Sequence, residues 1–146
     1  GGYVVASNTA IEFLRETAPL YIYSNPISPG EAAAAIKAVA LVDSPPGRDL
    51  LAHLGKTARR FRDGLVRLQF ETIAGDHPIV PLVLRDTPRT TALVRHLREH
   101  GVLATGLTLP VVPRGSEEIR FQICADHTAV DIDEALEVLG KFGRSA

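Results

Sequence analysis

The sequence contains no methionine, no tryptophan and a single cysteine, Cys124. One cysteine excludes an intrachain disulfide framework and a multi-cysteine zinc site. An excess of either charge is also missing: 16 Lys+Arg stand against 17 Asp+Glu, a net charge of −1. That balance excludes a general electrostatic attraction to nucleic acid or anionic lipid and leaves only a local patch open. No apolar run approaches the roughly 18–20 residues of a membrane span and no signal-peptide pattern is visible, so a cytoplasmic location is expected. There is no internal repeat, no low-complexity tract, no Gly-rich phosphate loop of the Walker or dinucleotide type and no G-x-S-x-G elbow. No methionine opens the chain either. It begins Gly1-Gly2-Tyr3, and the expectation is a piece of a longer protein.

What is present is an ordinary globular composition, 45% hydrophobic and 23% charged over 146 residues. A chain of that size buries roughly 68–70% of its unfolded surface, enough for one core. Residues 9–17 read as a short helix closed by Pro19, and residues 20–27 as an extended, aromatic-rich connector broken by Pro26. Ser28-Pro29-Gly30-Glu31 is a strong helix start, with Ser as N-cap, Pro at the first position and Glu completing a capping box. That helix is expected to run to about Val42. Asp43-Ser44-Pro45-Pro46-Gly47 is the clearest break and the candidate domain boundary. A long helix over about 48–68 follows, with Leu51, Leu54, Ala58, Phe61, Leu65 and Leu68 on one stripe.

Beyond it, Phe70–Ile73 and His77–Leu84 read as strands, and 89–100 as a helix ended by Gly101. Val102–Leu107 and Ile119–Cys124 are strands, and about 129–142 is a helix capped by Thr128 with Asp131 and burying Ile132, Ala135, Leu136 and Leu139. The order from residue 77 is β-α-β-β-α, which predicts an α+β domain with helices packed outside an antiparallel or mixed sheet.

Several motifs suggest chemistry. His96-Leu97-Arg98-Glu99-His100 matches the inverted zincin pattern and places two histidines on one helix face, but no third ligand stands out. A cationic last turn complementing the helix dipole explains it better. Arg59, Arg60, Arg62 and Arg67 form a basic run, read as a solvated face with phosphate binding as the alternative. Cys124 ends an apolar strand and is expected to be an inert buried thiol. His127, beside a helix N-terminus, reads as a structural hydrogen-bonding residue or a site residue. Arg120 lies in the apolar strand Glu118-Ile119-Arg120-Phe121-Gln122-Ile123. An arginine there wants an anion, and its planar fork matches a carboxylate, although an ordinary ion pair with a surface acid fits as well.

Taken in order, Gly1-Gly2-Tyr3, Tyr21-Ile22-Tyr23-Ser24-Asn25, Thr105-Gly106 through Pro110-Val111-Val112-Pro113, and Ile119-Arg120-Phe121-Gln122 with Ala125-Asp126-His127-Thr128 resemble the α-oxoamine synthase family of pyridoxal 5'-phosphate (PLP) enzymes. The resemblance spans essentially the whole chain and implies the C-terminal portion of such an enzyme, of the acetyltransferase kind. It implies the small C-terminal domain of a fold-type I PLP enzyme: a mainly antiparallel sheet of three to four strands with helices packed on it, preceded by a long connecting helix. Residues 1–45 would be the tail of the large PLP-binding domain with the connecting helix, and residues 46–146 the small domain.

The resemblance also implies roles. Ser24, with Asn25 beside it, matches the residue that contacts cofactor phosphate across a homodimer interface. Arg120 matches the arginine that holds the amino-acid carboxylate, with the Pro110–Pro113 loop facing the same cleft. The implied reaction condenses a glycine-like amino acid with an acyl-CoA. The family's Schiff-base lysine precedes the G-G-Y stretch, whereas the lysines here are Lys37, Lys56 and Lys141. No catalytic residue and no metal ligand is therefore expected within these residues, and the chain alone is expected to be inactive. Pro26 and Asp126 depart from the family pattern near the site. Two rival readings share the residues: a fold-type I aminotransferase, and a non-catalytic amino-acid-binding regulatory module of ferredoxin-like type, in which Arg120 would hold an effector.

Overall fold

The structure is a computed structural model that describes residues 3–143. The chain divides into two compact units between Ser44 and Pro45. The first holds α1 (Asn8–Thr17), α2 (Pro19–Ile22) and α3 (Pro29–Val42). Ser7 caps α1 by accepting from the Ala10 N–H. The expected extended connector is helical over its first residues: α2 continues from Pro19, whose fixed φ suits a first helical turn, and only residues after Ser24 are irregular. α3 begins as its capping box requires, with Ser28 Oγ accepting from the Glu31 N–H at 3.2 Å and Glu31 accepting from the Ser28 N–H at 2.8 Å. No residue of these helices is buried.

The second unit contains α4 (Pro45–Arg67), β1 (Glu71–Thr72), β2 (Ile79–Val83), α5 (Thr87–Glu99), β3 (Thr105–Leu107), β4 (Glu118–Gln122) and α6 (Ala129–Gly143). The strands form an antiparallel sheet in the order β1-β2-β4-β3. α4 packs on β1 and β2, α5 on β3 and β4, and α6 on α4 and α5. Pro45, Pro46 and Gly47, expected as part of the break, instead make the first turn of α4. Two prolines at a helix start lose no intrahelical bond, because the first N–H groups have no partner there.

The core lies between helices and sheet. Ala58, Phe61 and Leu65 of α4 meet Val80, Leu82, Ile119 and Phe121 of the sheet, Leu93 and Leu97 of α5, and Ile132, Leu136, Val138 and Leu139 of α6. The Phe61 and Phe121 rings sit 4.8 Å apart. Leu51 and Leu68, expected on the buried stripe, are exposed, and Leu54 only edges the core. β3 begins at Thr105 rather than Val102, because Val102 closes α5: its N–H reaches the Leu97 carbonyl and Gly101 takes a left-handed φ of 79°.

Candidate functional site

Alternation along the strands gives the sheet a buried face and an open one. On β4, Ile119 and Phe121 point into the core, and Glu118, Arg120 and Gln122 point the other way. Register extends that face across the sheet. Arg120 stands between Pro81 on β2 and Thr105 on β3, and Glu118 between Val83 and Leu107. Gly106, between Thr105 and Leu107, faces α5, where any Cβ would lie 2.8 Å from Val94 Cγ2. The missing side chain lets β3 lie close under α5.

Arg120 thus sits centrally on the open face, its side chain 53% exposed. Its Nε donates to Glu118 Oε1 at 2.7 Å. Among the described residues its two terminal nitrogens have no partner, so the end of the fork that suits a carboxylate is available. Arg120 thus makes the ion pair with an acid that one reading expected, and its terminal nitrogens are left over. Ser24 and Asn25 lie in the first unit, both exposed. Ser24 Oγ donates to the Tyr21 carbonyl in a long 3.4 Å bond, and it is this weakly held O–H that would have to turn to a phosphate oxygen.

The other candidates resolve differently. His96 Nε2 lies 3.1 Å from the Val138 carbonyl and His100 Nδ1 lies 2.8 Å from the His96 carbonyl. Their rings stack at 4.3 Å. Among the described residues no group of His, Cys, Asp or Glu is placed to hold a metal. In the basic run, Arg60 grips Asp133 of α6 through Nε at 2.8 Å and Nη2 at 2.6 Å. Arg62 donates to the His77 carbonyl, and Arg59 lies 3.8 Å from Asp76. The run thus braces α4 against its neighbours.

Cys124 is exposed, not buried as expected, because the alternation of β4 continues past Gln122: Ile123 is buried in the core and Cys124 falls on the open side with Arg120 and Gln122. Its N–H donates to His127 Nδ1 at 3.2 Å, and the His127 carbonyl lies 3.0 Å from His53 Nε2. His127 is a hinge of local hydrogen bonds. It also lines, with Asp131, Phe61 and Phe121, a cavity of about 370 Å³ that does not include Arg120.

Sequence reasoning assigned nothing to Glu118 or to Glu117. Spacing of two along a strand was the available signal for Glu118, since it shares a face with Arg120. Glu117 is buried beside it, accepting from Thr87 Oγ1 and the Gly115 N–H at 2.8 Å each. Hydrogen bonds from its own backbone N–H, then from Thr87 and Gly115, hold its carboxyl below the usual range.

Residues 1–139 match the profile of the family described as aminotransferase class I and II. The chain belongs to that family. It is 35% identical to the 2-amino-3-ketobutyrate coenzyme A ligase of Escherichia coli K12 over 144 residues, 99% of this chain and 36% of the relative. It is 36% identical over 144 residues to the 8-amino-7-oxononanoate synthase of Symbiobacterium thermophilum, again 99% and 36%. The chain therefore spans about a third of the curated relatives it matches, and corresponds to the C-terminal portion of PLP-dependent α-oxoamine synthases. Among solved structures, serine palmitoyltransferase from S. paucimobilis with bound PLP superimposes with a TM-score of 0.80 at 23% identity, over 97% of this chain and 35% of that one. An 8-amino-7-oxononanoate synthase from Francisella tularensis gives 0.70 at 22%, over 95% and 40%. The second unit accordingly has the fold of the C-terminal domain of fold-type I PLP enzymes.

The residues present fit one edge of a PLP site. Ser24, with its loosely engaged hydroxyl, suits the phosphate, and Asn25 adds an amide beside it. Of the lysines, Lys37 and Lys56 are exposed on helices, and Lys141 pairs with Glu137 at 2.9 Å.

Proposed function

We propose that these residues are the C-terminal part of a PLP-dependent acyltransferase that condenses a glycine-like amino acid with an acyl-CoA and works as a homodimer. Residues 1–45 are the tail of its large domain with the connecting helix, and residues 46–146 its small domain. The observation that carries this reading is the free terminal edge of Arg120 on the open sheet face, in a chain with this family membership. The exposed apolar side chains of α3, such as Ile36, Val39 and Leu41, support the assignment of the first unit to a larger body.

Bound PLP supplies an electron sink for negative charge at the amino acid's α-carbon. This chain supplies orientation. Arg120 takes the substrate carboxylate in a two-point grip, which fixes rotation about the bond between the α-carbon and its nitrogen and so selects the bond to be cleaved. Ser24 and Asn25 hold the phosphate from the neighbouring subunit. The aminotransferase alternative shares the carboxylate grip and differs in the second substrate. Release of coenzyme A from acetyl-CoA on adding glycine separates the two.

The test is Arg120→Lys in the full-length enzyme. Lysine keeps the charge and loses the fork, so the glycine Kd, read by calorimetry, should rise by about one to two decades, equivalent to roughly 1.5–3 kcal/mol. An unchanged Kd overturns the carboxylate role.

A further inference from the structure

We infer that Glu118 is a positioning residue for the carboxylate grip: it holds Arg120 by Nε so that the terminal edge of the guanidinium faces outward from the sheet. The inference rests on the reading of Arg120 given above. Glu118 and Arg120 are two apart on β4 and share its open face. The Glu118 side chain is only 12% exposed, whereas that of Arg120 is 53% exposed. Its cross-strand neighbours, Val83 and Leu107, are apolar and partly buried. A carboxylate so placed has lost much of its water, and among the described residues its hydrogen-bonding partner is Arg120 Nε, at 2.7 Å. The pair is thus asymmetric, a nearly buried anchor and a projecting arm.

The chemistry of the guanidinium makes the choice of nitrogen matter. It has a side edge that includes Nε and an end edge of two terminal nitrogens. Glu118 occupies only the first, and the end edge is left for a second carboxylate. A long, flexible side chain tied at Nε enters binding with fewer rotamers to lose.

Electrostatics opposes this. Glu118 is itself an anion beside an anion site, and if competition dominated, its removal would tighten substrate binding. The two effects predict opposite signs. In the full-length PLP-loaded enzyme, glycine Kd is measured by calorimetry for wild type, Glu118→Ala, Glu118→Gln, Arg120→Lys and the double variant Glu118→Ala with Arg120→Lys. Positioning predicts that Glu118→Ala raises the Kd by about two- to tenfold, the weight of one long side chain left unordered. Glu118→Gln, which retains an acceptor for Nε without the charge, brings the Kd back to the wild-type value or below it. In the Arg120→Lys background Glu118→Ala then has no further effect.

Tighter or unchanged binding in Glu118→Ala, with Arg120→Lys still weakened, overturns the positioning role alone. Unchanged binding in Arg120→Lys overturns the carboxylate reading and this inference with it. Should Glu118→Ala fail to fold, Glu118→Leu, which fills the space without an acceptor for Nε, takes its place: a raised Kd means positioning, and a Kd at or below wild type with the Arg120→Lys loss intact overturns it.

Discussion

Gln69 and Gly101 end two helices of the second unit in the same way. After α5, the Val102 N–H bonds the Leu97 carbonyl and the Gly101 N–H bonds that of Arg98; after α4, the Phe70 N–H bonds Leu65 and the Gln69 N–H bonds Val66. Both are Schellman closures, which need a left-handed residue. Gly101 provides it at φ 79°, whereas Gln69 is held at φ 63° against its own Cβ. Gln69→Gly should relieve about 1–2 kcal/mol of backbone strain and return somewhat less through unfolded-chain entropy, a net gain of roughly 1 kcal/mol. A higher urea midpoint at unchanged slope checks it. Glu117 sets a second expectation. Its carboxyl is held below the usual range by its own N–H, Thr87 and Gly115. Its stabilisation is therefore complete above the ordinary glutamate value of ~4.3 and lost as pH falls through the lower folded value. Acid unfolding of Glu117→Gln should show a shallower dependence over that window than wild type.

Within single elements, the long helix α4 illustrates how length and coverage interact. Its 23 residues extend about 34 Å at 1.5 Å per residue, while strands of five residues reach about 17 Å. Sheet and helix α6 cover only its C-terminal half, so Ala58, Phe61 and Leu65 are buried and Leu50 and Leu51 are not. Two glycines mark the difference. A Cβ on Gly64 would collide with the Leu136 side chain, whose Cγ would lie 2.9 Å away; a Cβ on Gly55 would meet nothing within 4 Å. Gly64→Ala should destabilise by about 1–3 kcal/mol through overpacking. Gly55→Ala should stabilise by up to about 1 kcal/mol through helix propensity. Thermal unfolding of both variants checks the opposite signs. The heptad-like stripe was legible in the sequence, but not where its covering layer would stop, since that depends on strand lengths elsewhere in the chain.

For the whole molecule, the second unit carries its own core and the first does not. The helix α3 exposes Ile36, Val39, Leu41 and Val42, spread over more than one of its faces. Such a helix requires neighbours on several sides. With about a third of the relatives' length present and lysines only at positions 37, 56 and 141, the 146-residue chain by itself should bind PLP neither stoichiometrically nor productively. Incubation with PLP, borohydride reduction and peptide mapping should find no single labelled lysine, and glycine with acetyl-CoA should give no turnover. One stoichiometric adduct with turnover would overturn that expectation.

The sequence alone determined the features that depend on near neighbours in the chain. The Ser28 capping box, the Gly101 helix end, the Thr128–Asp131 cap and the β-α-β-β-α order are all present, because caps and periodicity are satisfied within a few residues. Arg120 was legible as a polar residue in an apolar strand. Its ion pair with Glu118, the free end of its fork and the burial of Glu117 were not, because each depends on which strands pair and which face the helices cover. The same reason accounts for Cys124, whose exposure follows from its place on the open side of the strand, and for Leu51, whose exposure follows from the reach of the sheet. Pattern specifies which side chains share a face; only the packed layers decide which face is buried and how far along each element burial extends.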